Sequence, residues 1–80
     1  MPRIDLEYFA ILRDQAGRQK ETRETNAASL AALYDELTDA YGFTLPRARL
    51  RVAVNAAFST WEQPVNEGDI VVFIPPVSGG

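Results

Sequence analysis

One amphipathic helix stands among segments whose apolar residues have the spacing of β-strands. In residues 29–41 apolar side chains recur every three or four positions, which is typical of a helix with one buried face. The stripe consists of Leu30, Leu33, Tyr34, Leu37 and Tyr41. Ser29 or Asn26 is expected to cap the first turn. Gly42 is expected to end the helix in the left-handed conformation, with Phe43 folding back on the last turn.

Three segments around this helix predict strands. Residues 3–10 and residues 47–55 alternate apolar and polar side chains, as a half-buried strand does. Residues 70–74, IVVFI, are apolar on both faces, which favours a central strand with a parallel neighbour. The predicted buried faces are Ile4, Leu6 and Tyr8 in the first strand, and Ala48, Leu50, Val52 and Val54 in the second, opposite Arg47, Arg49 and Arg51.

The remaining segments are short or polar. Residues 12–17 predict a short helical turn that Gly17 closes. Residues 18–26 are strongly polar and predict at most an edge strand, protected from unwanted pairing by its charges. Residues 58–65 are mixed in character and predict an irregular segment, and residues 66–69 predict a turn.

The order of these elements predicts an α+β fold in which one main helix packs across one face of a mixed sheet. If the first and last strands are central neighbours, the order matches the ubiquitin-like β-grasp arrangement. We therefore predict a domain over residues 1–74, followed by an extended C-terminal tail over residues 75–80.

The composition excludes several kinds of function. The chain has 80 residues, no cysteine, no histidine and a formal net charge of −3. It therefore lacks disulfides, thiolate nucleophiles, the usual general base and the ligands of most zinc sites. The acidic balance argues against a nucleic-acid partner. With no long apolar stretch and with acids at Asp5 and Glu7, we expect neither a membrane span nor a secretory signal, and a cytoplasmic location.

Charged side chains offer little catalytic chemistry. The acids Asp35, Glu36 and Asp39 lie on the polar side of a convex helix, which offers no cleft for a pair of catalytic carboxylates. The arginines at positions 47, 49 and 51 are either an anion site or a solvated strand face that balances nearby acids.

Three apolar side chains stand where polar ones are expected or beside the tail. Phe9 breaks the polar face of the first strand, Phe58 lies in a small and polar stretch, and Ile74 directly precedes the tail. Either each is covered by a neighbouring loop, or together they form the kind of exposed patch that marks a partner surface.

The tail has the properties of a segment that enters another protein. Pro75 and Pro76 favour an extended exit from the last strand. Six residues reach roughly 20 Å when extended. Gly79 and Gly80 lack Cβ atoms, so a narrow tunnel can admit the end of the chain. The tail-insertion residues are Pro75, Pro76, Val77, Ser78, Gly79 and Gly80.

These residues resemble the family of small, sulfur-carrying subunits of molybdopterin synthase. The resemblance rests on YFAILRDQAG at residues 8–17, VN at 54–55, WEQP at 61–64, GD at 68–69 and above all FIPPVSGG at 73–80. It covers essentially the whole chain.

The resemblance implies a function for the tail. A ubiquitin-activating-like adenylyltransferase, using ATP and Mg, would adenylate the Gly80 carboxylate, and sulfide would convert it to a thiocarboxylate. The large synthase subunit would accept the tail and transfer the sulfur to a cyclic pyranopterin precursor, in an expected heterotetramer of two large and two small subunits. This chain would bind no cofactor or metal, and Phe9, Phe58 and Ile74 would dock on the large subunit.

Two alternatives remain. A sulfur carrier for thiamine synthesis or for tRNA thiolation is similar in fold and tail, although the PPV preceding Ser78 and the length of the chain favour the molybdopterin version. A ubiquitin-like conjugation module would instead attach Gly80 to a lysine through an amide bond.

Overall fold

The computed structural model describes residues 1–76, which form five strands and two α-helices. Neither helix in this range combines the length and the hydropathy that a membrane-spanning helix requires. The elements are β1 (Arg3–Tyr8), α1 (Ile11–Ala16), β2 (Lys20–Glu24), α2 (Leu30–Tyr41), a short 3₁₀ helix (Arg47–Arg49), β3 (Arg51–Val54), β4 (Ala57–Ser59) and β5 (Ile70–Ile74).

The strands of the described range form one mixed sheet in the order β2-β1-β5-β3-β4. β5 lies at the centre, parallel to β1 and antiparallel to β3, while β2 and β4 are antiparallel edges. The sequence-based prediction of a central final strand beside the first strand is therefore confirmed. So is the polar edge strand, which is β2.

The core lies between α2 and one face of this sheet. Leu33 and Leu37 of α2 are fully buried, as are Tyr8 of β1 and Phe73 of β5. The Tyr8 and Phe73 rings stack with their centroids 6.5 Å apart, and Tyr34 meets Phe73 edge-on at 5.4 Å. One helix across one face of a mixed sheet is the predicted α+β architecture.

Both ends of α2 have the predicted caps. The Ser29 hydroxyl accepts a hydrogen bond from the Ala32 amide at 3.2 Å, so Ser29 and not Asn26 caps the helix. Gly42 has φ 73° and its amide donates to the Thr38 carbonyl at 2.8 Å. Phe43 is buried, with its ring 5.6 Å from that of Tyr34. These caps fix the length of the helix and hence the position of its apolar stripe.

The strand predicted over residues 47–55 is wrong in its first half. Pro46 is extended, and the next residues turn into the 3₁₀ helix, where the Arg49 amide donates to the Pro46 carbonyl and the Leu50 amide to that of Arg47, both at 2.9 Å. β3 therefore begins only at Arg51, and Ala48 is exposed instead of sharing a buried face. The alternation of apolar and polar residues continues through the 3₁₀ helix, where the chain pairs with no strand of the described range.

The segment predicted to be irregular, residues 58–65, begins inside β4. Asn55 and Ala56 connect β3 to β4 with φ values of 52° and 72°, the conformation of a two-residue hairpin turn. Such turns usually carry glycine, and this one does not, so the sequence gives no strong turn signal there. The short helical turn closed by Gly17, whose φ is 74°, is confirmed as α1.

Candidate functional site

The face of the sheet opposite α2, here called the open face, carries the candidate site. Val71 and Phe73 of β5 are buried beneath α2, so Ile70, Val72 and Ile74 belong to the open face. The run IVVFI is apolar on both sides and could not itself decide this parity. The structure decides it through the register of β5 with β1 and β3.

The open face is divided into an apolar and a polar half. Val72 lies beside Ala53 of β3, which lies beside Phe58 of β4. In the other direction Val72 lies beside Glu7 of β1, which pairs with Lys20 of β2. The apolar half therefore coincides with β3, β4 and β5, and the charged half with β1 and β2.

A groove lies at the end of the apolar half where β5 ends. We call the side chains that matter here the tail-base patch: Arg49, Arg51, Phe58, Ile74, Pro75 and Pro76 all line this groove. Phe58 is 67% exposed although it belongs to a strand, which is unusual for so large an apolar side chain. The structure thus brings together two of the three residues predicted to bind a partner, Phe58 and Ile74.

Phe9 does not line this groove. It follows the end of β1 and is 38% exposed. The next residue, Ala10, has φ 52° and ψ −125°, a conformation that strains any residue except glycine. Leu12 donates its amide to the Phe9 carbonyl at 3.1 Å, so the chain turns sharply here and leaves Ile11 exposed as well.

Sequence reasoning missed two exposed apolar residues and one contact. Ile11 precedes the predicted helical turn and falls outside the buried pair Leu12 and Ala16. The exposure of Ile70 could not be predicted, because the sequence does not show which side chains of residues 70–74 face the helix. The guanidinium of Arg51 lies over the Phe58 ring, 5.3 Å from its centroid, a cation–π contact between neighbouring strands that no local pattern indicates.

The motif residues Asn55 and Asp69 are joined in space. The Asn55 side chain donates to the Asp69 carboxylate at 3.1 Å and accepts from the Ile70 amide at 3.0 Å, while Asp69 also accepts from the Asn66 amide at 2.9 Å. These bonds fasten the β3–β4 hairpin to the start of β5. They therefore help to position Phe58 relative to the strand that leads to the tail.

The tyrosines and one acid of α2, Glu36, have structural partners. The hydroxyls of Tyr8 and Tyr41 both donate to the Glu21 carboxylate, the latter at 2.7 Å and 2.8 Å. Burial, and then the bond to Glu21, raises the pKa of both tyrosines above the ordinary value. Glu36 pairs with Arg23 at 2.7 Å. These groups hold β2 against the helix and lie away from the tail-base patch.

The tail begins at the edge of the described range. β5 ends at Ile74, and Pro75 and Pro76 follow without regular secondary structure. Four predicted tail-insertion residues, Val77, Ser78, Gly79 and Gly80, lie outside the described residues. Within residues 1–76 no three His, Cys, Asp or Glu side chains are placed to hold a metal ion.

Comparisons with known proteins agree with this arrangement. Residues 6–80 match the model of the ThiS family. The chain is 30% identical to the molybdopterin synthase sulfur carrier subunit of Haemophilus influenzae, over 96% of this chain and 99% of that protein. The structure of small archaeal modifier protein 1 from Haloferax volcanii matches with a TM-score of 0.82 at 20% identity, over 96% of this chain and 100% of that one.

A further solved structure contains a pair of subunits. It is the complex of subunits 1 and 2 of the molybdopterin-converting factor from Helicobacter pylori, and one of its chains matches with a TM-score of 0.68 at 19% identity, over 98% of this chain and 99% of that one. At these identities the structural matches show the fold alone. They confirm the predicted ubiquitin-like β-grasp arrangement.

Proposed function

The chain belongs to the ThiS family, and on that premise we propose that it is the sulfur carrier subunit of a molybdopterin synthase. The proposal is supported by the name of the Haemophilus influenzae relative, which the chain matches over nearly its whole length. The structural observation that carries it is the tail-base patch. Apolar residues, among them the exposed Phe58 and the half-buried Ile74, surround the exit of the strand that leads to the diglycine tail, where a protein accepting that tail would make contact.

The sulfur is carried on the terminal carboxylate of Gly80. A carboxylate is a poor electrophile, so the carboxylate oxygen first attacks the α-phosphorus of ATP and pyrophosphate leaves. Sulfide then attacks the carbonyl carbon of this acyl adenylate and AMP leaves, which yields the thiocarboxylate. ATP and Mg serve the activating enzyme, a ubiquitin-activating-like adenylyltransferase. This chain supplies the acyl group and binds neither.

The loaded tail donates its sulfur in the active site of the large synthase subunit. Two transfers to the cyclic pyranopterin precursor build the dithiolene of molybdopterin. The general bases and phosphate-binding groups are expected on the partner proteins, which agrees with the lack of histidine and cysteine in this sequence. Enzymatic activity is therefore a property of the assembly, which we expect to be a heterotetramer. Its cytoplasmic location stays a prediction from the sequence.

Docking on the large subunit uses the exposed apolar residues at the tail end of the domain. Phe58 and Ile74 line one groove there, and Phe9 supplies a separate apolar contact after β1. The Helicobacter pylori complex of subunits 1 and 2 of the molybdopterin-converting factor supports an assembly of this kind. Since the apolar half of the open face is small, we expect the inserted tail to contribute much of the affinity.

The thiocarboxylate can be tested by intact-mass spectrometry. Incubated with its activating enzyme, ATP and a sulfur donor, the chain should gain about 16 Da, since one oxygen is replaced by sulfur. A variant lacking Gly80 should gain nothing, yet melt at the same temperature, because an extended tail contributes little to the core. An unchanged mass of the intact chain with its authentic activating enzyme would refute the proposal.

The alternatives give different products. A thiamine-type or tRNA-thiolating carrier would also gain about 16 Da, but the loaded chain would form no molybdopterin with the large subunit and the precursor. A conjugation module would instead appear as a larger species in which Gly80 is joined to a lysine. Formation of molybdopterin by the loaded chain is therefore the decisive readout.

A further inference from the structure

The tail-base patch is basic in a chain that is acidic as a whole. Between Asp39 and Glu62 the sequence contains three arginines and no acid. Together the three arginines carry a charge of +3. Because the net charge of the chain is −3, the remaining residues carry −6. The positive charge is thus concentrated in Arg47, Arg49 and Arg51, at the end of the domain from which the tail departs.

The geometry leaves this charge accessible. Arg47 and Arg49 lie in the 3₁₀ helix and are exposed, and Arg51 is exposed at the start of β3. In the described part of the chain, ion pairs are formed by Arg13, Arg18 and Arg23, and none by these three arginines. Arg49 and Arg51 line the same groove as Phe58 and Ile74. The groove is therefore lined by apolar and cationic side chains, with no carboxylate among them.

Resting on the proposed function, we infer that the large subunit presents carboxylates to Arg49 and Arg51, around an apolar contact for Phe58 and Ile74. An uncharged partner surface would strip water from the guanidinium groups without replacing it, and a basic surface would repel them. An acidic rim, meaning these carboxylates around the apolar contact, forms ion pairs with both arginines. It thereby fixes the direction in which the tail enters. Such carboxylates attract the arginines and repel the rest of this acidic chain, so they favour encounters in which the tail-base patch faces the large subunit.

The acidic rim is compatible with a basic interior. The large subunit must also hold an anionic thiocarboxylate, which calls for positive or hydrogen-bond-donating groups deeper inside. Four residues follow Pro76 and reach at most about 13 Å when extended. This greatest reach exceeds the screening length of about 8 Å that applies to surface charges at physiological ionic strength. The outer zone then acts on the arginines and the inner one on Gly80.

Charge-reversal variants test the inference. The dissociation constant for the large subunit from the same organism should be measured by calorimetry for Arg49→Glu, for the double variant Arg49→Glu/Arg51→Glu, and for the unaltered chain. We expect a loss of at least about tenfold for the single variant and more for the double variant. The binding of the unaltered chain should weaken as salt is raised from 50 to 500 mM, and that of the double variant should not.

Lys20→Glu is the matched control. It makes the same change in net charge on an exposed residue of β2, at the opposite edge of the sheet. The side chain of Arg49 has no partner among residues 1–76, so its replacement should leave the melting temperature unchanged. A control variant that loses as much affinity as Arg49→Glu would mean that net charge alone matters, and would overturn the inference.

The remaining outcomes separate this inference from the proposed function. If the unaltered chain binds the large subunit and the double variant binds equally well, the acidic rim is refuted while the proposed function stands. If the double variant binds the large subunit normally but is no longer loaded by the activating enzyme, the acidic partner is that enzyme and the inference as stated is wrong. If the unaltered chain neither gains sulfur nor binds, the proposed function fails and the inference falls with it.

Discussion

Replacing Phe58 with alanine should weaken partner binding more than it weakens folding. Phe58 is 67% exposed, so about two thirds of its side chain is available to be buried by a partner, and about one third is already buried in the domain. A phenylalanine side chain buries roughly 200 Å² when it is fully enclosed. About 130 Å² is therefore at stake in binding and about 70 Å² in folding.

These areas give separate free energies. At about 25 cal/mol per Å², full burial of the exposed part contributes about 3 kcal/mol to binding, or a loss of about 150-fold in affinity on truncation. The same coefficient gives an upper limit of about 1.7 kcal/mol for folding, and the retained Cβ atom lowers it further. Phe58→Ala also removes the cation–π contact with Arg51. At an exposed site this loss lowers the free energy of unfolding by at most about 0.5–1 kcal/mol more.

The two quantities can be measured on the same protein. Urea denaturation gives the free energy of unfolding, and calorimetry with the large subunit gives the dissociation constant. Ile70→Ala is the matched control, because Ile70 is 49% exposed on the same face but borders the charged half. We expect that control to change affinity by less than about threefold. Equal losses in folding and binding for Phe58→Ala, or equal losses of affinity for both variants, would refute the assignment of the tail-base patch.

Two further predictions concern the stability of the domain. Leu33→Ala should lower the free energy of unfolding by about 2–5 kcal/mol, because Leu33 is fully buried between α2 and the sheet; a loss below about 1 kcal/mol in urea denaturation would contradict its place in the core. The raised pKa values of Tyr8 and Tyr41 predict that stability is constant up to about pH 9 and falls above about pH 10, because the unfolded tyrosines then release protons that the folded ones retain. Melting temperatures measured from pH 7 to 11 check this, and in Tyr41→Phe the fall should be shallower.

The helix and the central strands could be predicted because their signals are local. The stripe of α2 needs only its own residues, and Ser29 and Gly42 mark its ends with side-chain and backbone chemistry specific to caps. The apolar run of β5 likewise indicates a central strand. Such signals survive in a single sequence because they do not depend on what the segment later packs against.

The errors arose where the deciding contact is not local. Residues 47–50 alternate like a strand, but a strand needs a partner, and β5 pairs only as far back as Arg51. Ala10 and Ala56 occupy positive-φ positions without the glycine that would have signalled them. The tertiary structure compensates for that strain, so it leaves no mark in the local pattern.

The candidate site was predictable in part. Phe58 could be singled out because a large aromatic in a polar stretch is locally anomalous, and Ile74 because it borders the tail. Their place in one groove with two arginines depends on the register of three strands. The sequence of residues 47–58 alone does not show which arginines line this groove and which only face solvent.

The central position of β5 has a mechanical consequence. A tail that is drawn into another protein and later withdrawn transmits force to the strand that carries it. β5 is bonded along its length to β1 on one side and to β3 on the other, so a pull along its axis loads both ladders in shear. Hydrogen bonds loaded in shear must break together, whereas an edge strand can be peeled off one bond at a time. If the tail is inserted and released as proposed, each pull on the C-terminal end of β5 is therefore shared between two strand ladders.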